Sequence, residues 1–294
     1  MLLKTAILAD LDNTLYNFVD YYVPCFRAMV HALSRETRIP EAEVINQFRT
    51  VYSKTESVEY PFSIQRLALC ANLPSPDVER LAKLGYRVFL LRRKKTLKPY
   101  PGVKETLEWA RSQGIAVVVV SNAPANLVWK RIWELGLKRL VTGVAAREGF
   151  GVPEDDSVAR VLTQTGGKKG RRPGPPMLWS ISKELLKPNP EMYLRVITDL
   201  QIQQSNAWIV GDSLHKDVMP ALEIGAVGVW ARYGEEFDRK NFETLVSITH
   251  WSQDQIAATY DRKVIQPSFT INSFSELTKL IPAPQPLLPL SGWP

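Results

Sequence analysis

The sequence predicts the α/β fold class: a doubly wound parallel sheet with a mainly helical domain inserted early in the chain. Three observations lead there. "IAVVVV" (Ile115 to Val120) is a continuous β-branched run, the pattern of a strand covered on both faces. Beyond it, strand-like and helix-like segments alternate, as they must where parallel strands are joined by helical crossovers. Before it, from Tyr16 to about Leu97, the apolar spacing is helical instead.

Taken in order, "TAILA" (Thr5 to Ala9) reads as a short buried strand. In "YVPCFRAMVHAL" the residues Phe26, Met29, Val30 and Leu33 recur at intervals of three and four, one face of a helix. "EAEVINQFRTVY", "SIQRLALCA" and "DVERLAKLGYRVFLL" continue the helical pattern, with "LPSPD" supplying a break and then a cap for the last of them. At "KPYPG" (Lys98 to Gly102) the pattern changes. "VKETLEWARSQG" is an amphipathic helix with Gly114 just past its end. After the "VVVV" strand come helices near "NLVWKRIWELG" and "NPEMYLRVITDL", a strand at "AWIV" (Ala207 to Val210), a helix at "DVMPALEIG" and a strand at "AVGVW". The expected division is an α/β core over residues 1–15 and 98–281, a helical domain over 16–97, and a Pro-rich tail over 282–294. A basic, Gly/Pro-rich insertion at about 146–183 contains "TQTGGKKGRRPGPP", which reads as an exposed, mobile loop.

Composition excludes several classes. With 45% apolar and 23% charged residues over 294 positions, the chain is that of a globular protein able to bury a sizeable core. No run approaches the ~18 apolar residues of a membrane span, and the N-terminal apolar stretch reads as a first strand rather than a signal peptide. Cys25 and Cys70 have no metal or redox spacing, so reduced thiols and a cytoplasmic setting are expected. The net charge of +7 is concentrated in "RRKK" (Arg92 to Lys95) and "KKGRR" (Lys168 to Arg172). Such a field favours anionic ligands. Nucleic acid is not expected, because aromatic residues that stack on bases are not interleaved in the basic loop.

The chemistry-bearing residues fall where an open parallel sheet collects them, at strand ends and the helix starts nearby. They are Asp10 and Asp12 after the first strand, Ser121-Asn122 after "VVVV", Lys187-Pro188 before a helix, and "GDSLHKD" (Gly211 to Asp217) after "AWIV". Singly, each has an ordinary structural use as a cap or a turn. Together they differ. Carboxylates converging on one sheet edge repel unless a cation intervenes, and oxygen ligands with water suit Mg2+. Lysine and Ser–Asn donors beside them provide what phosphoryl transfer needs.

In this order the four pieces resemble the haloacid dehalogenase superfamily: "DLDNTL", "VVVVSNA", "LLKPNPEMY" and "WIVGDSLHKDV" look like its four motifs. The helical stretch after the first looks like its α-helical cap domain, and "SFTINSFSELTKLI" like a common closing strand and helix. The resemblance implies a Rossmann-like core and a Mg2+-dependent phosphatase of a small phosphorylated metabolite, with the nucleotidase-like and general phosphatase branches the nearer ones. It implies Asp10 as nucleophile and Asp12 as the acid and base for leaving group and water. It also implies Mg2+ on Asp10, the Asp12 carbonyl and Asp212, with Ser121, Asn122 and Thr14 as substrate-binding residues. Lys187 would neutralise Asp10 and the phosphate, and Asp217 would support Lys187 or a metal-bound water. Asp12 argues against dehalogenation, since a halide departs without a proton.

Asn13 stands where the family commonly has Gly, and Lys183 competes with Lys187 for the third-motif lysine. His31, His215 and His250 are scattered without metal spacing and receive no catalytic role, though His215 falls inside the fourth motif. Trp129, Trp133 and Trp179 read as packing residues. The competing functions are a phosphomutase of the same superfamily, which would need a bisphosphate activator, and a non-catalytic protein binding RNA or an acidic partner. The complete set of acidic residues argues against the latter.

Overall fold

In this computed structural model the chain is described over residues 5–149, 174–249 and 265–282. The basic segment Lys168 to Arg172, His250 and residues 283–294 of the Pro-rich tail lie outside them. The chain begins with β1 (Ala6–Ala9), whose nearest sheet neighbours are distant in sequence: β2 (Ala116–Pro124) on one side and β5 (Ala207–Gly211) on the other. β3 (Gly143–Arg147) and β4 (Met177–Ile181) extend the sheet beyond β2, while β6 (Val227–Ala231) and β7 (Phe269–Ile271) extend it beyond β5. The order is β4-β3-β2-β1-β5-β6-β7, and every pairing is parallel. The strand order reverses at β1, between β2 and β5, which is where such sheets open a ligand crevice.

Two core layers cover the two faces. In β1, Ile7 and Ala9 belong to one layer and Ala6 and Leu8 to the other. In β2, Val117 and Val119 likewise oppose Val118 and Val120. This alternation is the physical reason for the continuous apolar runs: with both faces buried, no position is left for a polar residue. Burying each valine stabilises the fold by about 2 kcal/mol as an upper-range estimate.

The helices follow the predicted periodicities. Between β1 and β2 the chain forms α1 (Phe18–Thr37), α2 (Glu41–Thr55) and α3 (Ser75–Thr96), then α4 (Val103–Ser112). The predicted face of α1, with Phe26, Met29, Val30 and Leu33, is buried. "SIQRLALCA" forms two short 3-10 turns, Ile64–Arg66 and Ala68–Cys70, rather than a longer helix. The break before α3 falls at Pro74, but no side chain caps that helix; Pro76 occupies its first turn. Gly114 (φ +68°) ends α4 in the left-handed region, which glycine enters without a Cβ clash. Among the described residues, α5 (Ala125–Glu134), α6 (Glu191–Asp199), α7 (Met219–Glu223) and α8 (Arg239–Ile248) lie in the later connections between strands. α1 also touches α8: Asp20 Oδ1 accepts from Asn241 Nδ2 at 2.9 Å, and Arg27 donates to Thr244 Oγ1 at 2.5 Å.

Two strands were not marked by the sequence reading. β3 and β4 both fall where it saw a long connection and an insertion at 146–183, and β4 shows that residues 177–181 belong to the sheet. Among the described residues, no helix is long and apolar enough to cross a membrane. Cys25 and Cys70 are buried free thiols.

Candidate active site

The carboxyl ends of β1, β2 and β5 form the floor of a cavity of about 390 Å3, whose wall includes Glu56, Ser57, Val58 and Glu59 from the helical insertion. Asp10 follows β1 directly and its N–H donates to the carbonyl of Val210 at 2.8 Å, tying it to the neighbouring strand end. Asp212 follows β5 by the same logic of register, since Ala9 pairs with Val210. Asp217 lies in the helical turn Leu214–Val218. Single carboxylate oxygens of Asp10, Asp212 and Asp217 all lie within 4.8 Å of one another.

Lys187 reaches into this group from the segment before α6. Its Nζ donates to Asp10 Oδ1 at 2.6 Å and to Asp217 Oδ1 at 2.7 Å. Lys183, by contrast, has a side chain 65% exposed and pairs with Glu56 at the cavity lip. The lysine beside Asp10 is therefore Lys187. Asn122 holds its backbone reciprocally: Asn122 Nδ2 donates to the Lys187 carbonyl and Oδ1 accepts the Lys187 N–H, both at 2.9 Å.

Asp217 is gripped by more than the lysine. Tyr193 donates its hydroxyl to Oδ1 at 2.9 Å, and the Ser213 N–H donates to Oδ2 at 3.2 Å. Gly211 leaves room for this arrangement, because a Cβ there would overlap the Asp217 carboxyl group. With three donors already engaged, Asp217 is suited to orienting Lys187.

The electrostatics follow from the geometry. Burial pushes the Asp10 carboxyl up to about 7, against the attraction of Lys187 and with Asp217 and Asp12 adding repulsion. Asp212 is also raised well above the usual carboxylate range, first by loss of water and then by Asp10 and Asp217. The Lys187 ammonium is held above its ordinary value because Asp10 and Asp217 together outweigh the effect of burial. One lysine does not neutralise three converging carboxylates, and the remaining negative charge makes a cation the natural complement.

Ser121 and Asn122 line the cavity, and the Ser121 hydroxyl accepts from the Ala123 N–H at 3.1 Å. Asp12 lines it too. Its Oδ1 accepts from Arg131 Nη1 at 2.8 Å and from the hydroxyl of Tyr16. Thr14, expected among the substrate-binding residues, is not part of the cavity lining. It is fully buried beneath the site, where its Oγ1 accepts the Asp212 N–H at 3.1 Å and its carbonyl accepts the Tyr233 hydroxyl at 2.7 Å. Thr14 thus braces the fourth motif against the first. Asn13 adopts φ +56°, a conformation asparagine tolerates better than other non-glycine residues, and its Oδ1 accepts the Phe18 N–H at 3.0 Å. That accounts for Asn where glycine is common.

Sequence reading missed Arg131, Glu59, Tyr193 and Tyr16. Arg131 carried a signal: it shares a buried helix face with Val128 and Ile132, where an arginine needs acidic partners. Glu59 carried none.

The profile of the haloacid dehalogenase-like hydrolase family matches residues 4–172, and a HAD-hydrolase-like profile matches residues 185–277. The glyceraldehyde 3-phosphate phosphatase of Methanopyrus kandleri is 24% identical over 79% of this chain and 86% of its own length. The ribulose-1,5-bisphosphate 5-phosphatase of Halopiger xanaduensis is 25% identical over 95% of this chain and 100% of its own. Among solved structures, a HAD phosphatase from Thermococcus onnurineus superposes with a TM-score of 0.54 at 20% identity, covering 95% of this chain and 98% of the other. A 2-haloacid dehalogenase from Pseudomonas syringae gives 0.56 at 18% identity, covering 94% and 97%. These superpositions concern the fold alone. The chain belongs to the haloacid dehalogenase-like hydrolase family.

Proposed function

We propose that the protein is a Mg2+-dependent phosphatase of a small phosphorylated metabolite, acting through a phosphorylated Asp10. The observation that carries this reading is the Lys187 ammonium bridging Asp10 and Asp217 at the sheet's switch point, with Asp212 in the same cluster. The relatives named above act on small phosphorylated carbon compounds by their names, which supports the substrate class.

The donor set fits Mg2+. Buried carboxylates with raised affinity for protons and one lysine among them form an oxygen site in need of positive charge. Asp10, Asp212 and the backbone carbonyl of Asp12 would hold the ion, which supplies charge neutralisation at the phosphoryl oxygens.

The chain's own groups divide the remaining work. Asp10 attacks phosphorus, forming one P–O bond as the bond to the substrate alcohol breaks. Asp12 delivers a proton to the departing oxygen, then takes one from the water that displaces Asp10. Lys187 holds Asp10 in place and offsets charge that grows on the transferring group. Ser121 and the backbone near Asn122 donate to phosphoryl oxygens, and Asp217 with Tyr193 fixes Lys187. Helices of the insertion, read as a cap domain, would exclude water from the covered site.

The test is hydrolysis of p-nitrophenyl phosphate and a panel of phosphorylated metabolites. Turnover is expected with Mg2+, and its loss is expected with EDTA and in Asp10→Asn. Turnover that survives in Asp10→Asn, or is indifferent to chelation, contradicts the reading. Transfer of phosphate between two positions of one sugar instead of release to water would mark a mutase.

A further inference from the structure

We infer that Arg131 and Glu59 are positioning residues that fix the Asp12 carboxylate and link its placement to the helical insertion. The inference rests on the phosphatase reading and concerns a group of residues outside its four motifs.

Arg131 belongs to α5, on the core side of the molecule, and its side chain is 3% exposed. A guanidinium so deep must have its charge and donors met. Nη1 donates to Asp12 Oδ1 at 2.8 Å, and Nη2 is ion-paired with Glu59 Oε1. Aromatic rings hold it in register, with its Cζ 5.5 Å from the Phe18 ring centre and 5.9 Å from that of Tyr16. Tyr16 then donates to the same oxygen of Asp12 as Arg131 does.

Two donors from different elements on one carboxylate oxygen fix both the position and the rotation of the group. The geometry assigns Oδ2 to proton exchange with substrate. Asp12 and Glu59 line the cavity, whereas Arg131 stands behind them and acts through Asp12. Glu59 comes from the segment after α2, inside the insertion, so the same guanidinium touches the first motif and the insertion. Seating of the insertion and placement of the acid are one linked geometry. Arginine suits this task because its planar fork holds a hydrogen bond to Asp12 through one nitrogen and faces the Glu59 charge with the other, which a lysine ammonium cannot do with fixed orientation.

The experiment compares p-nitrophenyl phosphate with phenyl phosphate, two esters of nearly the same shape. Nitrophenolate departs readily without a proton; phenolate benefits from one, so a misplaced acid harms the second ester more. In Arg131→Lys and in Glu59→Gln, the ratio of phenyl to p-nitrophenyl kcat/KM, which reports transfer to Asp10 and not the later hydrolysis that both esters share, should fall about tenfold. Asp12→Asn should lower the ratio as well, and adding Arg131→Lys to it should lower it no further. Thermal unfolding checks that each variant folds. If Arg131→Lys does not, Glu59→Gln carries the comparison, since its side chain lies at the cavity wall, 15% exposed. Equal falls for the two esters, or a further fall of the ratio in the Asp12→Asn background, overturn the inference while leaving the phosphatase reading intact. A wild-type protein that hydrolyses neither ester with Mg2+ overturns both.

Discussion

Replacing Asp10 by Asn should stabilise the metal-free protein at alkaline pH while removing its activity, and the size of the gain follows from the site. The Asp10 carboxyl titrates near 7 in the folded chain, against 3.8 for an ordinary aspartate. At about 1.36 kcal/mol per pH unit, ionising it inside the protein costs at most about 4 kcal/mol. The sign is fixed by which state holds the proton. The folded chain keeps a proton that the unfolded chain has released, so this contribution is full below pH 3.8 and is lost as pH rises through 7. Asparagine carries no charge to bury and retains an oxygen for Lys187. In EDTA at pH 8, Asp10→Asn should therefore unfold a few degrees higher than wild type, up to roughly 8 °C for a chain of this size. At pH 4 the two should nearly coincide, and Mg2+ should raise the wild type more than the variant. The assay is thermal unfolding by circular dichroism across pH, with and without chelator. A wild type as stable as Asp10→Asn at pH 8 in EDTA, or a gap that does not change with pH, refutes the electrostatic argument.

Three other predictions can be checked with the same protein. Asp12→Asn should lower kcat/KM for phenyl phosphate by about 10²- to 10⁴-fold, and that for p-nitrophenyl phosphate by much less, read in steady-state kinetics. Lys187→Met should destabilise the fold by about 3–5 kcal/mol in denaturant titration, because Asp10 and Asp217 lose the one cation between them. Gly211→Ala should lower activity at least about tenfold, since its Cβ displaces the Asp217 carboxyl and frees Lys187 to move. An alanine variant with wild-type turnover would show that Asp217 does not orient the lysine.

How much of this was legible in the residues depended on burial and on distance along the chain. β1, β2, β5 and β6 announced themselves because strands covered on both faces must be apolar throughout. β3 and β4 did not. β3 is "GVAAR", too small and mixed to stand out, and β4 is an edge strand with Met177, Leu178 and Ser180 exposed, so it lacks the buried run. Asp10 and Asp212 were readable because each directly follows a legible strand. The bracing role of Thr14 was not legible because a hydroxyl in a motif looks the same whether it meets ligand or backbone; only the fold shows it bonded to the Asp212 N–H. Arg131 was detectable as a cation on an apolar helix face. Its partner Glu59 was not, because it reaches Arg131 only when the insertion folds back onto the core, and nothing local records that.

The measurement that tests the central claim most directly is capture of the covalent enzyme. Protein mixed with substrate and Mg2+ is quenched in acid within one turnover, reduced with borohydride and digested, and its peptides are read by mass spectrometry. An acyl phosphate on Asp10 is reduced to homoserine, so that residue should appear at position 10 only when substrate and metal are both present. Steady turnover with position 10 unmodified, or homoserine at another carboxylate, would contradict the account.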